Sequence, residues 1–145
     1  MLPEPLLQSY RDTDYWCAGL DDCGPVSLRV DIPQPALNTL FALFRCNSAA
    51  FITACNPLSR AISDTENALC QERLLGELKQ KGYTALRAEG RPLRPGWNAE
   101  ASFLVPGMPL EEACETGRRY QQNAIVWVGE DLTPRLYVLR DGATG

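Results

Sequence analysis

The sequence predicts an α+β domain: a single mixed β-sheet with about three helices packed on it. Three observations predict it. Val26, Leu28, Val30 and Ile32 alternate with polar residues, the period of a half-buried strand. Residues 49–54 are nearly all apolar, as in a strand buried on both faces. Ser63 and Glu66 frame a helical capping box ahead of a stripe at Cys70, Leu74, Leu75 and Leu78. Strands and helices interleave without strict alternation, as in one mixed sheet with helices packed on it.

Along the chain, residues 1–25 read as irregular, with 1–14 a loosely ordered N-terminal segment and Tyr15-Trp16-Cys17 an edge strand. The strand at 26–32 follows. Pro33 and Pro35 then open a first helix whose stripe is Leu37, Leu40, Phe41 and Phe44. The buried strand at 49–54 ends at Asn56-Pro57. The second helix runs from its capping box to Lys79 and Lys81, favourable at the C-terminal dipole, with Gly82 as left-handed cap. Residues 83–88 read as a strand and 89–98, with two prolines and two glycines, as a loop. A short strand at 101–105 stops at Pro106-Gly107. Pro109 begins a third helix, with Glu111 and Glu112 in its first turn and Arg118 and Arg119 in its last. Ala113 and Gly117 leave its inner face small enough for close approach to a sheet. Strands at 124–128 and 135–139 close the fold, and the whole chain of 145 residues reads as one domain.

Composition narrows the function. The chain has no histidine, which removes Ser-His and Cys-His catalysis and every histidine metal site. Its net charge is −4 and its pI about 4.8, a poor match to nucleic acid or to an anionic membrane surface. The apolar-leaning run 46–60 is broken by Asn47, Ser48, Asn56 and Pro57, so no membrane span is expected. The six cysteines include no C-x-x-C pair. With no basic, apolar leader at the N-terminus, they read as reduced thiols in a cytoplasmic protein, without structural disulfide or zinc. No cofactor is expected.

Polar residues at strand ends are the candidate site. Asn56 follows a buried strand and precedes a proline, which favours an extended backbone and an outward amide; Ser59 lies just beyond. The competing reading is an Asx-turn, in which both residues satisfy their own backbone. Gln122 sits at the junction of the third helix and the next strand. Glu100 directly precedes a buried strand, as a general base or as a solvated carboxylate. Arg87, Arg91 and Arg94 beside Trp97 form either a phosphate-stacking patch or a solvated face.

These segments, in order, resemble a known family. FITACNPLS, then Glu66-Asn67, Trp97, Glu100-Ala101-Ser102-Phe103-Leu104-Val105 and Tyr120-Gln121-Gln122-Asn123-Ala124-Ile125 are similar to a bacterial family, domain of unknown function 3293. The resemblance covers about residues 10 to 130. It implies a single small domain and no established activity. It carries over Thr53, Asn56, Pro57, Ser59, Asn67, Glu100, Ser102 and Gln122 as motif positions. Cys55 stands where members carry an aromatic, which argues against a nucleophilic role for it, as does the lack of a histidine to activate it.

Three functions follow as expectations. The first is a binding module in which Asn56, Ser59, Asn67, Glu100, Ser102 and Gln122 read a small polar ligand, nucleotide-like or amide-bearing. The second is an enzyme with Glu100 as acid/base and Asn56 and Gln122 as oxyanion donors. The third is a protein- or nucleic-acid-interaction protein working through the 87–97 loop. The strand ends carrying Asn56, Ser59, Glu100 and Gln122 are expected to meet at one edge of the sheet, with Glu100 bonded to Asn56 or Gln122.

Overall fold

The computed structural model describes residues 2–19, 23–94 and 98–139. Its strands are β1 (Thr13–Cys17), β2 (Val26–Leu28), β3 (Ala49–Ile52), β4 (Leu86–Pro92), β5 (Glu100–Pro106), β6 (Ala124–Val128) and β7 (Arg135–Val138). The α-helices are α1 (Glu4–Arg11), α2 (Leu37–Phe44), α3 (Asp64–Gln80) and α4 (Leu110–Arg119). The strands form one sheet in the order β2-β1-β4-β5-β3-β6-β7. The α+β class and the single sheet are as the sequence predicts. Among the described residues every strand pairing is antiparallel rather than mixed, and the α-helices number four.

The strand β3 lies inside this order, between β5 and β6, and all four of its residues are buried. Ala49 and Phe51 face a core shared with Tyr15, Leu28 and the α2 residues Leu37, Leu40 and Phe41. Ala50 and Ile52 face the opposite core, with Leu74 and Leu78 of α3 and Ala113 of α4. Helices on both faces explain why β3 has no polar side. On α4, a Cβ at Gly117 would stand 2.8 Å from Ile125 Cγ2 and 2.5 Å from Leu139 Cδ1, so this glycine admits the helix to the sheet.

Four local expectations are corrected. The N-terminal residues are not irregular: they form α1 and β1, and β1 pairs on both sides, so it is no edge strand. The strand at 26–32 ends at Leu28, because Asp31 turns left-handed (φ 67°) and bonds the Pro134 carbonyl instead of a strand partner. The strand read at 83–88 begins at Leu86 and runs to Pro92, through residues expected to be a loop. Pairing with β1, including Tyr15 opposite Gly90, overrides the local turn signal. Arg91 and Arg94 consequently leave the proposed phosphate patch. Arg91 lies over the Trp16 ring at 3.8 Å and pairs with Glu89, and Arg94 reaches Asp12 at 3.5 Å. Trp97 lies outside the described residues.

The capping box of α3 is present as read. Ser63 Oγ accepts from the Glu66 N–H at 3.1 Å, and the Glu66 carboxylate accepts from the Ser63 N–H at 3.4 Å. Ser63→Ala should therefore destabilise the protein by about 0.5–2 kcal/mol. Urea denaturation checks this, and an unchanged midpoint would mean that α3 does not depend on its cap.

Candidate functional site

Antiparallel pairing puts the C-terminal end of β3 beside the N-terminal ends of both its neighbours, β5 and β6. That geometry gathers residues remote in sequence. The chain leaves β3 through Thr53, Ala54 and Cys55 and turns at Asn56 into one 3-10 turn, Pro57–Ser59, before α3 begins. Glu100 opens β5, and Gln122 precedes β6.

Asn56 is the hub. Its Nδ2 donates to Glu100 Oε2 at 3.0 Å, the bond expected between these strand ends. Its Oδ1 accepts from Asn67 Nδ2 at 2.9 Å and from the Ile62 N–H at 3.3 Å. Its own N–H donates to Asn67 Oδ1 at 2.8 Å. The Asn56 amide is thereby oriented without ambiguity, and both polar atoms of the Asn67 side chain bond to Asn56. Gln71, one helical turn beyond Asn67, accepts from the Ala54 N–H at 2.7 Å. Residues four apart share a helix face, so α3 grips the segment after β3 twice. Gln71 was missed by sequence reasoning, although its spacing from Asn67 was the available signal.

The backbone here departs from expectation. Asn56 is left-handed (φ 46°), not extended as its proline neighbour favours. Leu58, Ser59 and Gln121 are also left-handed, at φ 58°, 59° and 56°. Such conformations cost about 1–3 kcal/mol each and persist where surrounding contacts over-determine them. The contacts are visible: the Leu58 N–H donates to the Gln121 carbonyl at 2.7 Å, and Asn123 Nδ2 donates to Ser59 Oγ at 2.9 Å.

The six candidate residues divide by what remains free. Gln122 is buried, and its Nε2 donates to the carbonyls of Cys55 (3.0 Å) and Tyr120 (3.2 Å). It clamps the turn before β6 onto the end of β3 and has no amide proton left for an oxyanion. Ser102 is buried and donates to the carbonyl of Glu100 at 3.1 Å. Asn56 and Asn67 hold each other. Glu100 and Ser59 retain capacity. Among the described residues Glu100 Oε1 has no hydrogen bond, and Ser59 is exposed.

Burial pushes the Glu100 carboxyl above its ordinary value, with the Asn56 hydrogen bond opposing. A further group is Tyr10 of α1, which sequence reasoning also missed because its segment reads as irregular. Burial raises its phenol, a hydrogen bond with Ser59 opposes, and the Glu100 charge raises it further. Tyr15 is raised by burial and then by Tyr10, with Glu100 adding. Burial likewise raises the Cys55 thiol, against a hydrogen bond from Thr53, so it is protonated and a poor nucleophile.

Elsewhere, a shallow groove of about 440 Å³ lies at the opposite end of the sheet, between the end of α2 and Glu130 and Leu132. All six cysteines are free. Among the described residues no three Cys, Asp or Glu side chains converge as metal ligands, and no helix is long and apolar enough to cross a membrane.

No curated protein and no solved structure matches the chain. The stretch matched by a family model, residues 52–125, is narrower than the reach of the sequence resemblance; it takes in Asn56, Ser59, Asn67, Glu100, Ser102 and Gln122 but leaves out Tyr10. That model covers about half of the chain and carries the description "Protein of unknown function (DUF3293)", and the chain belongs to this family.

Proposed function

We propose that this protein is a binding module, one domain on one sheet, whose site for a small polar ligand is the cluster at the C-terminal end of β3. The observation that carries the reading is Glu100. It is half-buried, it keeps one oxygen free of hydrogen bonds among the described residues, and its other oxygen is held by an amide that α3 locks in place. A desolvated carboxylate with a single neutral donor weakens the fold, and such groups belong to sites more often than to scaffolds. Asn56, Asn67, Ser102 and Gln122 hold the cluster in shape, while Glu100, Ser59 and Tyr10 face the ligand. Six free thiols support a reducing, cytoplasmic setting.

The raised proton affinity of Glu100 also favours the second reading, in which Glu100 is a general acid or base. The commitment of Gln122 Nε2 to backbone carbonyls counts against that reading's oxyanion donors.

Glu100→Gln tests the site. Small molecules released by denaturing protein purified from its own cells should include a compound enriched with the wild type and lost in the variant. Identical contents would sink the proposal. Stability should move the other way. A carboxyl raised in the folded state contributes most below its unfolded value, and loses that contribution as pH rises through the folded value. The variant should therefore gain on the wild type as pH rises to neutrality, and the gap should close in acid. Urea midpoints across that range check the sign.

A further inference from the structure

Five arginines of this chain pair with surface or half-buried carboxylates. Arg11 pairs with Glu4, Arg91 with Glu89, Arg94 with Asp12, Arg119 with Glu77, and Arg135 with Asp31 and Asp131. Exposed pairs of this kind contribute little. Glu100, a half-buried carboxylate, has no lysine or arginine within ion-pair distance among the described residues. Arg29 acts on Tyr15, lowering its phenol, but donates to the Arg11 carbonyl at 3.1 Å, and Arg60, which follows Ser59, is exposed.

Asn56 bonds Glu100, Tyr15 stands in line with it across Gly90 in the register of β1, β4 and β5, and Tyr10, Tyr15 and Cys55 lie near enough to feel its charge. Its charge raises Tyr10, Tyr15 and Cys55 alike, with Arg29 opposing only at Tyr15, so Glu100 gives the cluster a negative field. A phosphate or carboxylate placed against Glu100 would meet that field, and among the described residues no cation pairs with Glu100 to answer it. A positive group would relieve it, and phenol rings beside a carboxylate suit an organic cation.

We propose that the group recognised at this site is a small organic cation, an ammonium or guanidinium, which donates to the free oxygen of Glu100 between Tyr10 and Ser59. This rests on the binding-module reading and narrows its ligand class: an amine- or guanidine-bearing compound, not a nucleotide held by its phosphate.

The test is an NMR titration of the ¹⁵N-labelled full chain, following the Asn56 side-chain amide and the Glu100 backbone amide. The probes are agmatine, propionamide and adenosine monophosphate, at matched ionic strength. Agmatine should give saturable shifts at both positions, and Glu100→Gln, checked as folded by its amide spectrum, should weaken them by about tenfold or more. The monophosphate should give none. Saturable shifts with the monophosphate or propionamide that survive Glu100→Gln, with none from agmatine, would overturn the cation while leaving the binding site standing. Absence of saturable shifts with agmatine overturns the cation in any case. The binding-module reading itself falls only if, in addition, the purified protein carries no Glu100-dependent compound.

Discussion

Phe51→Ala should lower the unfolding free energy by about 3–5 kcal/mol, the largest loss expected from any substitution considered for this protein. Phe51 lies in β3, with β5 on one side and β6 on the other, and is 5% exposed. Its ring meets that of Tyr15 edge to face, with centroids 5.1 Å apart and planes at 74°. Truncation removes the transfer free energy of the ring and leaves a void between the sheet face and α2 that cannot fully collapse, because β3 is held in register on both sides. The aromatic pair adds a further fraction of the loss. Phe51→Leu, which conserves more of the volume, should cost far less. Equilibrium urea denaturation with an unchanged m-value is the measurement. A loss below about 1 kcal/mol would mean that the central layer repacks freely. Because Tyr15 lies close enough to feel Glu100, the alanine variant should also disturb the binding cluster from below.

Asn67→Ala should cost about 1–3 kcal/mol, more than its half-buried position on α3 suggests. The side chain accepts from the Asn56 N–H and donates to Asn56 Oδ1. Removing it strips two hydrogen bonds from the residue that enters a left-handed turn and also holds Glu100. The Asn56 amide loses the bond that orients it, so Glu100 loses a fixed donor. Asn67→Asp separates the two contributions: it keeps the acceptor for the Asn56 N–H and loses the donor. It should therefore retain part of the stability, while ligand binding falls as in the alanine variant. If alanine left both stability and the Asn56 side-chain resonances unchanged, the turn would be held by Gln71 and backbone bonds alone.

Where one element's own residues carry its signal, sequence and structure agree. The α3 cap is written in Ser63 and Glu66, and the two-sided burial of β3 in its unbroken apolar run. The glycine that admits α4 to the sheet is likewise visible as a small residue on an apolar face. Where the deciding partner is remote, they diverge. Nothing local in residues 89–92 announces a strand, because the reason is β1, more than seventy positions away. Nothing local in residues 4–11 announces that Tyr10 meets Ser59 and Glu100.

The candidate site divides along the same line. The residue types, amides and one carboxylate at strand ends, are legible from the chain, and so is their meeting at one edge once the strands share a sheet. Which of them face a ligand is not. That depends on where each hydrogen bond goes, and the partners of Asn56, Asn67 and Gln122 lie on other elements. The sequence by itself therefore determined the class, one sheet with helices, the termini of α3 and the list of polar candidates, since these follow from periodicity, capping and composition, which are local. Only the tertiary structure decided that Gln122 and Asn67 are clamps and that Glu100 is half-buried with no cation paired to it among the described residues. Desolvation and hydrogen-bond satisfaction are properties of the assembled surroundings, not of any stretch of chain.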